Sequence, residues 1–112
     1  MAERNANLLV SDAASPQAGI QYADAKPWYG GDLGATLSGT LEGVSVDIVF
    51  CTRLPKLDEG QTYADVLTDA DWVKLTTLDG DTGAYHGPLN PCLLAARVNT
   101  PGAGTRARVL IS

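Results

Sequence analysis

This chain has little histidine, cysteine or aromatic content. Among 112 residues there are one histidine, two cysteines and seven aromatics (two Trp, four Tyr, one Phe). Nucleophilic catalysis needs a Ser, Cys or Thr beside a base that a third group holds in place. The one candidate base, His86, stands between Tyr85 and Gly87-Pro88 with no nucleophile paired to it in the sequence, and reads as an exposed turn residue. A structural zinc site needs about four ligands. Cys51, Cys92 and His86 are too few and wrongly spaced. The two cysteines each fall at the edge of an expected strand. A disulfide and two buried free thiols are both open, and a cytosolic chain favours the thiols.

Long hydrophobic runs are also missing. No segment approaches the roughly 20 apolar residues of a membrane span, and the first seven residues carry no apolar stretch of signal-peptide length. The expectation is a soluble protein made in the cytoplasm, with no membrane partner. Positive charge is scarce too, with 8 Lys and Arg against 13 Asp and Glu, a formal charge of −5. A nucleic-acid coat needs a cationic face, so that role is excluded. No phosphate cradle is present: Gly30-Gly31 and Gly102-Ala103-Gly104 lack the flanking lysine and helix. No cofactor and no metal are expected.

What remains is an apolar fraction of 45%, too high for a disordered chain. The length suits one domain with one core. Twelve glycines and six prolines are spread along the chain, as short strands joined by turns require. Leu33, Ala35, Leu37, Gly39 and Leu41 alternate with Gly34, Thr36, Ser38 and Thr40, the pattern of a half-buried strand. Glu42-Gly43 reads as a turn. Val44, Val46, Ile48 and Phe50 then alternate with Ser45, Asp47, Val49 and Cys51. Two such runs about a tight turn predict a β-hairpin.

Residues 8–10 form a short apolar run, 12–19 a loop, and 20–22 a short strand. Further strands are expected at 72–78, at 84–86 up to the stop at Gly87-Pro88, at 92–99 and at 105–111. In the last, Ala107, Val109 and Ile111 face one way and Arg106, Arg108 and Leu110 the other. Asp79-Gly80-Asp81-Thr82-Gly83 reads as a hairpin turn with Asp-Gly at positive φ, and it lacks the ligand spacing of a calcium loop. The expected fold is all-β: a compact antiparallel β-sandwich, jelly-roll-like or a small barrel, of seven to eight short strands. The expected organisation is a flexible arm at 1–7, then a single β domain at 8–112 with a long acidic loop at 53–71. Within that loop, residues 62–67 read as one or two helical turns capped by Thr62.

Charge is unevenly placed. Residues 58–81 hold seven acids and one base, Lys74, whereas residues 84–112 hold Arg97, Arg106 and Arg108 and no acid. These stretches are either two solvated faces or surfaces that meet between copies. Paired carboxylates catalyse glycoside hydrolysis only when one is desolvated, and the acids here lie in hydrophilic, turn-rich sequence. Trp28 and Tyr29, between Pro27 and Gly30-Gly31, are candidates for packing at a sandwich edge, for a subunit contact or for stacking on a sugar.

Residues 39–50 (Gly-Thr-Leu-Glu-Gly-Val-Ser-Val-Asp-Ile-Val-Phe), the Trp-led strand Trp72-Val73-Lys74-Leu75 and the run Leu94-Ala95-Ala96-Arg97-Val98 resemble, in pattern, small tailed-bacteriophage virion proteins. They are most similar to head decoration (cement) proteins. The likeness covers residues 33–111 and contains no diagnostic motif. It implies a non-enzymatic virion protein, often trimeric, that binds several subunits of the major capsid protein and has no catalytic residues. A terminal arm that reaches neighbours is also implied, and residues 1–7 stand in its place. The interface residues expected on this reading are Arg4, Trp28, Tyr29, Arg97, Arg106 and Arg108. A tail or neck protein and a carbohydrate-binding β-sandwich module are the alternatives.

Overall fold

The alternating segments fold as strands because each buries one side and leaves the other to solvent. The computed structural model describes residues 8–14, 18–40, 43–53, 55–99 and 106–112, and the side chains of all of these except 8–14, 23, 40 and 106. The expected arm at 1–7, with Arg4, and the loop at 100–104 lie outside the described residues, as do parts of the loop at 12–19 and of the turn at 42–43. The strands are β1 (Leu8–Ala14), β2 (Gly19–Ile20), β3 (Lys26–Trp28), β4 (Asp32–Thr40), β5 (Ser45–Cys51), β6 (Val73–Leu78), β7 (Ala84–Pro88), β8 (Cys92–Asn99) and β9 (Arg106–Ile111).

They form two antiparallel sheets. The first has the order β1-β9-β4-β7; the second runs β8-β5-β6, with both β2 and β3 on the free side of β8. β2 pairs with Val98 and Arg97 and β3 with Leu94, Leu93 and Cys92, so the two share one lane, interrupted by a 3-10 turn at Tyr22–Asp24. Counted by lanes, eight strands make two four-stranded sheets. Every connection between consecutive lanes crosses from one sheet to the other, except β5 to β6. That is jelly-roll order.

The core lies between the sheets. Leu33, Ala35 and Leu37 of β4 and Ala107, Val109 and Ile111 of β9 meet Val46 and Ile48 of β5 and Cys92, Leu94, Ala96 and Val98 of β8. Burying each large aliphatic side chain is worth roughly 1.5–3 kcal/mol. For β4, β5 and β9 these are the inward positions that the alternation predicts; β8, apolar on both faces, is expected only as a strand.

Several local expectations are corrected. β4 and β5 do not pair with each other: β4 pairs with β7 and β9 while β5 pairs with β6 and β8. Alternation shows that a face is buried but not which sheet buries it. Residues 79–83 likewise join two sheets. They are held by the Asp79 N–H donating to the Thr82 carbonyl at 2.9 Å, and Gly80 has no positive φ. β7 does not stop at Gly87-Pro88 but runs through both, pairing Gly87 with Leu33 and Pro88 with Asp32. Proline is tolerated there because β7 is an edge strand, where a missing N–H breaks no ladder bond. β1 extends through Ala14 into the expected loop, with register irregularities along β9.

The 52–72 connection is not a free loop. A short helix α1 (Tyr63–Val66) starts at Thr62, as expected, and the Asp65 carboxylate accepts a hydrogen bond from the Thr62 N–H at 2.8 Å. The same arrangement recurs where the Asp71 carboxylate accepts from the Thr68 N–H at 2.7 Å, ahead of the 3-10 turn at Asp69–Asp71. Leu67 and Trp72, with Tyr63 and Val66 beside them, pack on Val49, Cys51, Leu93 and Ala95. The connection thereby covers part of the outer face of the second sheet and forms a second small core, while its carboxylates remain at the surface.

Candidate functional site

The interface residues expected from the sequence do not form one patch. Trp28 is half-buried on β3, packs against the main core and donates its indole N–H to the Leu89 carbonyl at 3.1 Å. It is therefore an edge-packing residue. Tyr29 is 84% exposed in the turn that follows.

Arg97 lies at the opposite end of β8, on the outer face of the second sheet. Asp47 of β5 sits directly across from it, and Thr77 of β6 sits across from Asp47 on the other side. The Thr77 hydroxyl donates to Asp47 Oδ1 at 2.7 Å. Arg97 Nε and Nη2 donate to Oδ2 at 3.0 and 2.9 Å. Burial alone would raise the Asp47 pKa. The hydrogen bonds from Thr77, Arg97 and Asn99 and the guanidinium charge outweigh it and hold the carboxyl below its ordinary range. Arg97 therefore braces the sheet.

Arg106 and Arg108 alternate on β9, paired in register with Thr40 and Ser38 of β4. The Arg106 side chain lies outside the described residues; Arg108 is exposed. Arg108 belongs to the outer face of the first sheet. Leu110 is 44% exposed there, opposite Thr36, and Thr36 lies opposite Ala84 of β7. Gly34 and His86 form the next pair, and on the other side of Gly34 the Ser112 hydroxyl lies 3.0 Å from where a Cβ on Gly34 would stand. Among the described residues this face is lined mostly by small, uncharged groups. Leu110 was placed on the outward side by parity, but nothing in the sequence marked it as a surface feature.

A cleft of about 360 Å³ opens at one end of the sandwich, lined by Phe50, Thr52, Pro88, Leu89, Asn90, Pro91 and Cys92. The turn carrying Tyr29 is fastened to its wall. The Leu89 N–H donates to the Gly31 carbonyl at 3.0 Å, and a Cβ at Gly30 would lie 3.4 Å from the Pro91 ring. Its lining comes from two segments far apart in the chain, 50–52 and 88–92, which no local pattern brings together.

The remaining polar clusters are occupied by local structure. Asp79 Oδ1 accepts from the Asp81 and Thr82 N–H groups at 2.9 and 2.7 Å, binding its own turn. Asp71 pairs with Arg53 at 3.1 Å. Its pKa is held down by the Thr68 backbone N–H first, burial opposing, and then by the Arg53 charge. Among the described residues, no three His, Cys, Asp or Glu side chains gather into a metal-holding group, and no helix is long and apolar enough to cross a membrane. Comparison with family models, with curated proteins and with solved structures finds no match to this chain.

Proposed function

We infer that this protein is a non-enzymatic structural component of a virion, assembled in the host cytoplasm, that decorates and stabilises a bacteriophage capsid. Its partners on this reading are the major capsid protein and further copies of itself, with a trimer favoured. A tail or neck position would use the same surface.

The observation that carries the reading is the difference between the two outer sheet faces. The second sheet is partly covered by the 52–72 connection and braced by Asp47 and Arg97. Among the described residues the first presents Gly34, Thr36, Ser38, Ala84 and the exposed Leu110 at its middle, with Asp32, His86 and Arg108 around them. Small side chains make a flat surface that is cheap to desolvate. Depletion of charge with an apolar centre and an arginine nearby is the composition of an interface core. Jelly rolls recur in viral coat proteins and in lectins, so the fold permits the reading without selecting it. A lattice-binding protein gains avidity by presenting several copies.

The test is native mass by light scattering on a size-exclusion column, followed by co-sedimentation with assembled shells of a tailed-phage major capsid protein. The expected result is a closed homo-oligomer that sediments with the shells, and loss of both properties in Leu110→Asp. A monomer that stays in the supernatant overturns the reading.

A further inference from the structure

We propose that the cleft at the end of the sandwich binds one neutral sugar residue, with Tyr29 as its stacking platform. This site is separate from the first sheet's outer face and does not rest on the virion reading.

The lining defines the ligand class. Phe50, Pro88, Leu89, Pro91 and Cys92 supply apolar surface, and Thr52 and Asn90 supply a hydroxyl and an amide. Both polar groups donate and accept hydrogen bonds, as sugar hydroxyls do. None of the seven side chains is charged. The Cys92 thiol stays neutral, its pKa pushed up to about 11 by burial and then by the nearby Cys51. The neighbouring charges are Asp32, opposite Pro88 in register, and Arg53, next to Thr52 and paired with Asp71 at 3.1 Å. With the chain at −5, acidic sugars and phosphates are disfavoured. A cleft near the lower end of the size range of ligand pockets suits one ring rather than a long chain.

Tyr29 stands outside this lining, on the turn fastened to it, and offers a second flat face beside that of Phe50. It is carried by the stretch from Trp28 to Gly31, which is tied down at three points. Trp28 pairs with Cys92, its indole binds the Leu89 carbonyl, and the Gly31 carbonyl binds the Leu89 N–H. Gly30, at φ +101°, allows the backbone to turn closely against Pro91. A ring left exposed on so restrained a turn is preorganised for stacking against the apolar face of a sugar.

The experiment is NMR titration of the ¹⁵N-labelled full chain. The probes are methyl glucoside, methyl galactoside, methyl mannoside and N-acetylglucosamine, with sialyllactose, inorganic phosphate and leucinamide as contrasts. The expected result is saturable shifts at the Thr52, Asn90 and Gly30 amides with at least one neutral sugar and none with the anions. Tyr29→Ala, at an exposed position, should keep its melting temperature and bind about tenfold more weakly, as loss of a stacked aromatic implies. Asn90→Leu should weaken binding as well. The proposal falls if no neutral sugar shifts these amides, if an anion binds as well as the sugars, or if leucinamide alone binds. It also falls if both variants bind like the wild type.

Discussion

Arg97 and Asp47, fifty residues apart in the chain, face each other across β8 and β5, with the guanidinium donating twice to one carboxylate oxygen. The carboxylate is 7% exposed, and Thr77 completes its coordination from β6. Three adjacent strands are thereby cross-linked on the outer face of the second sheet. Removing Arg97 leaves a nearly buried carboxylate short of donors. Because the guanidinium is partly exposed, the expected cost of Arg97→Met is about 2 kcal/mol, measured by urea unfolding at pH 7.

The same pair sets an acid dependence. The Asp47 pKa is depressed in the folded state, so its contribution is fully present above the ordinary aspartate value of 3.8 and fades as pH falls through the lower folded value. Asp47→Asn should be less stable than wild type at pH 7, and the gap should narrow below pH 3.8. A gap that stays constant down to pH 2 would show that the charge contributes nothing.

Cys51 lies opposite Leu93 in register, so its neighbour Cys92 points to the other face of the same sheet. Cβ vectors on opposite faces cannot be bridged without moving a strand. Both thiols are free and buried. Native protein should consume almost no Ellman's reagent at pH 8, and both thiols should react in 6 M urea. Loss of two hydrogens by mass after mild oxidation of the folded chain would contradict this placement.

Trp72 anchors the 52–72 connection. Its ring meets Tyr22 edge-on at 6.0 Å, and its indole N–H donates to the Tyr22 hydroxyl at 3.3 Å. It packs in the same small cluster as Cys51, whereas Cys92 belongs to the main core. Trp72→Ala should cost about 3 kcal/mol and make Cys51 reactive well before Cys92. Equal rates for the two thiols would mean that the connection does not open as a separate unit.

Gly30 holds a backbone conformation at φ +101° that side chains rarely adopt. Gly30→Ala is expected to cost about 2 kcal/mol and to disturb the turn carrying Tyr29. A melting curve unchanged from wild type would show that the turn relaxes freely.

Much of the fold was legible in the sequence. The β class, the inward positions of β4, β5 and β9 and the helical turn at Thr62 follow from period-two alternation and from capping chemistry. These are local patterns. The site was less legible, because four arginines and two neighbouring aromatics look alike in sequence whatever they touch. Of these, Arg97 is held by Asp47, Trp28 packs at the sheet edge, and Tyr29 and Arg108 are exposed.

The sequence by itself determined that this chain forms short strands with a face to bury, since side-chain alternation is a property of the strand alone. Only the tertiary structure decided which strands are partners. β4 ends at Thr40 and β5 begins at Ser45, a hairpin's spacing, yet the two lie in different sheets, because β4 pairs with β9 and β5 with β8, strands more than forty residues further along the chain. Pairing over such distances depends on how all the apolar faces close on one core at once. The same closure brings Asp47 to Arg97 and Trp72 to Tyr22, contacts no local pattern encodes.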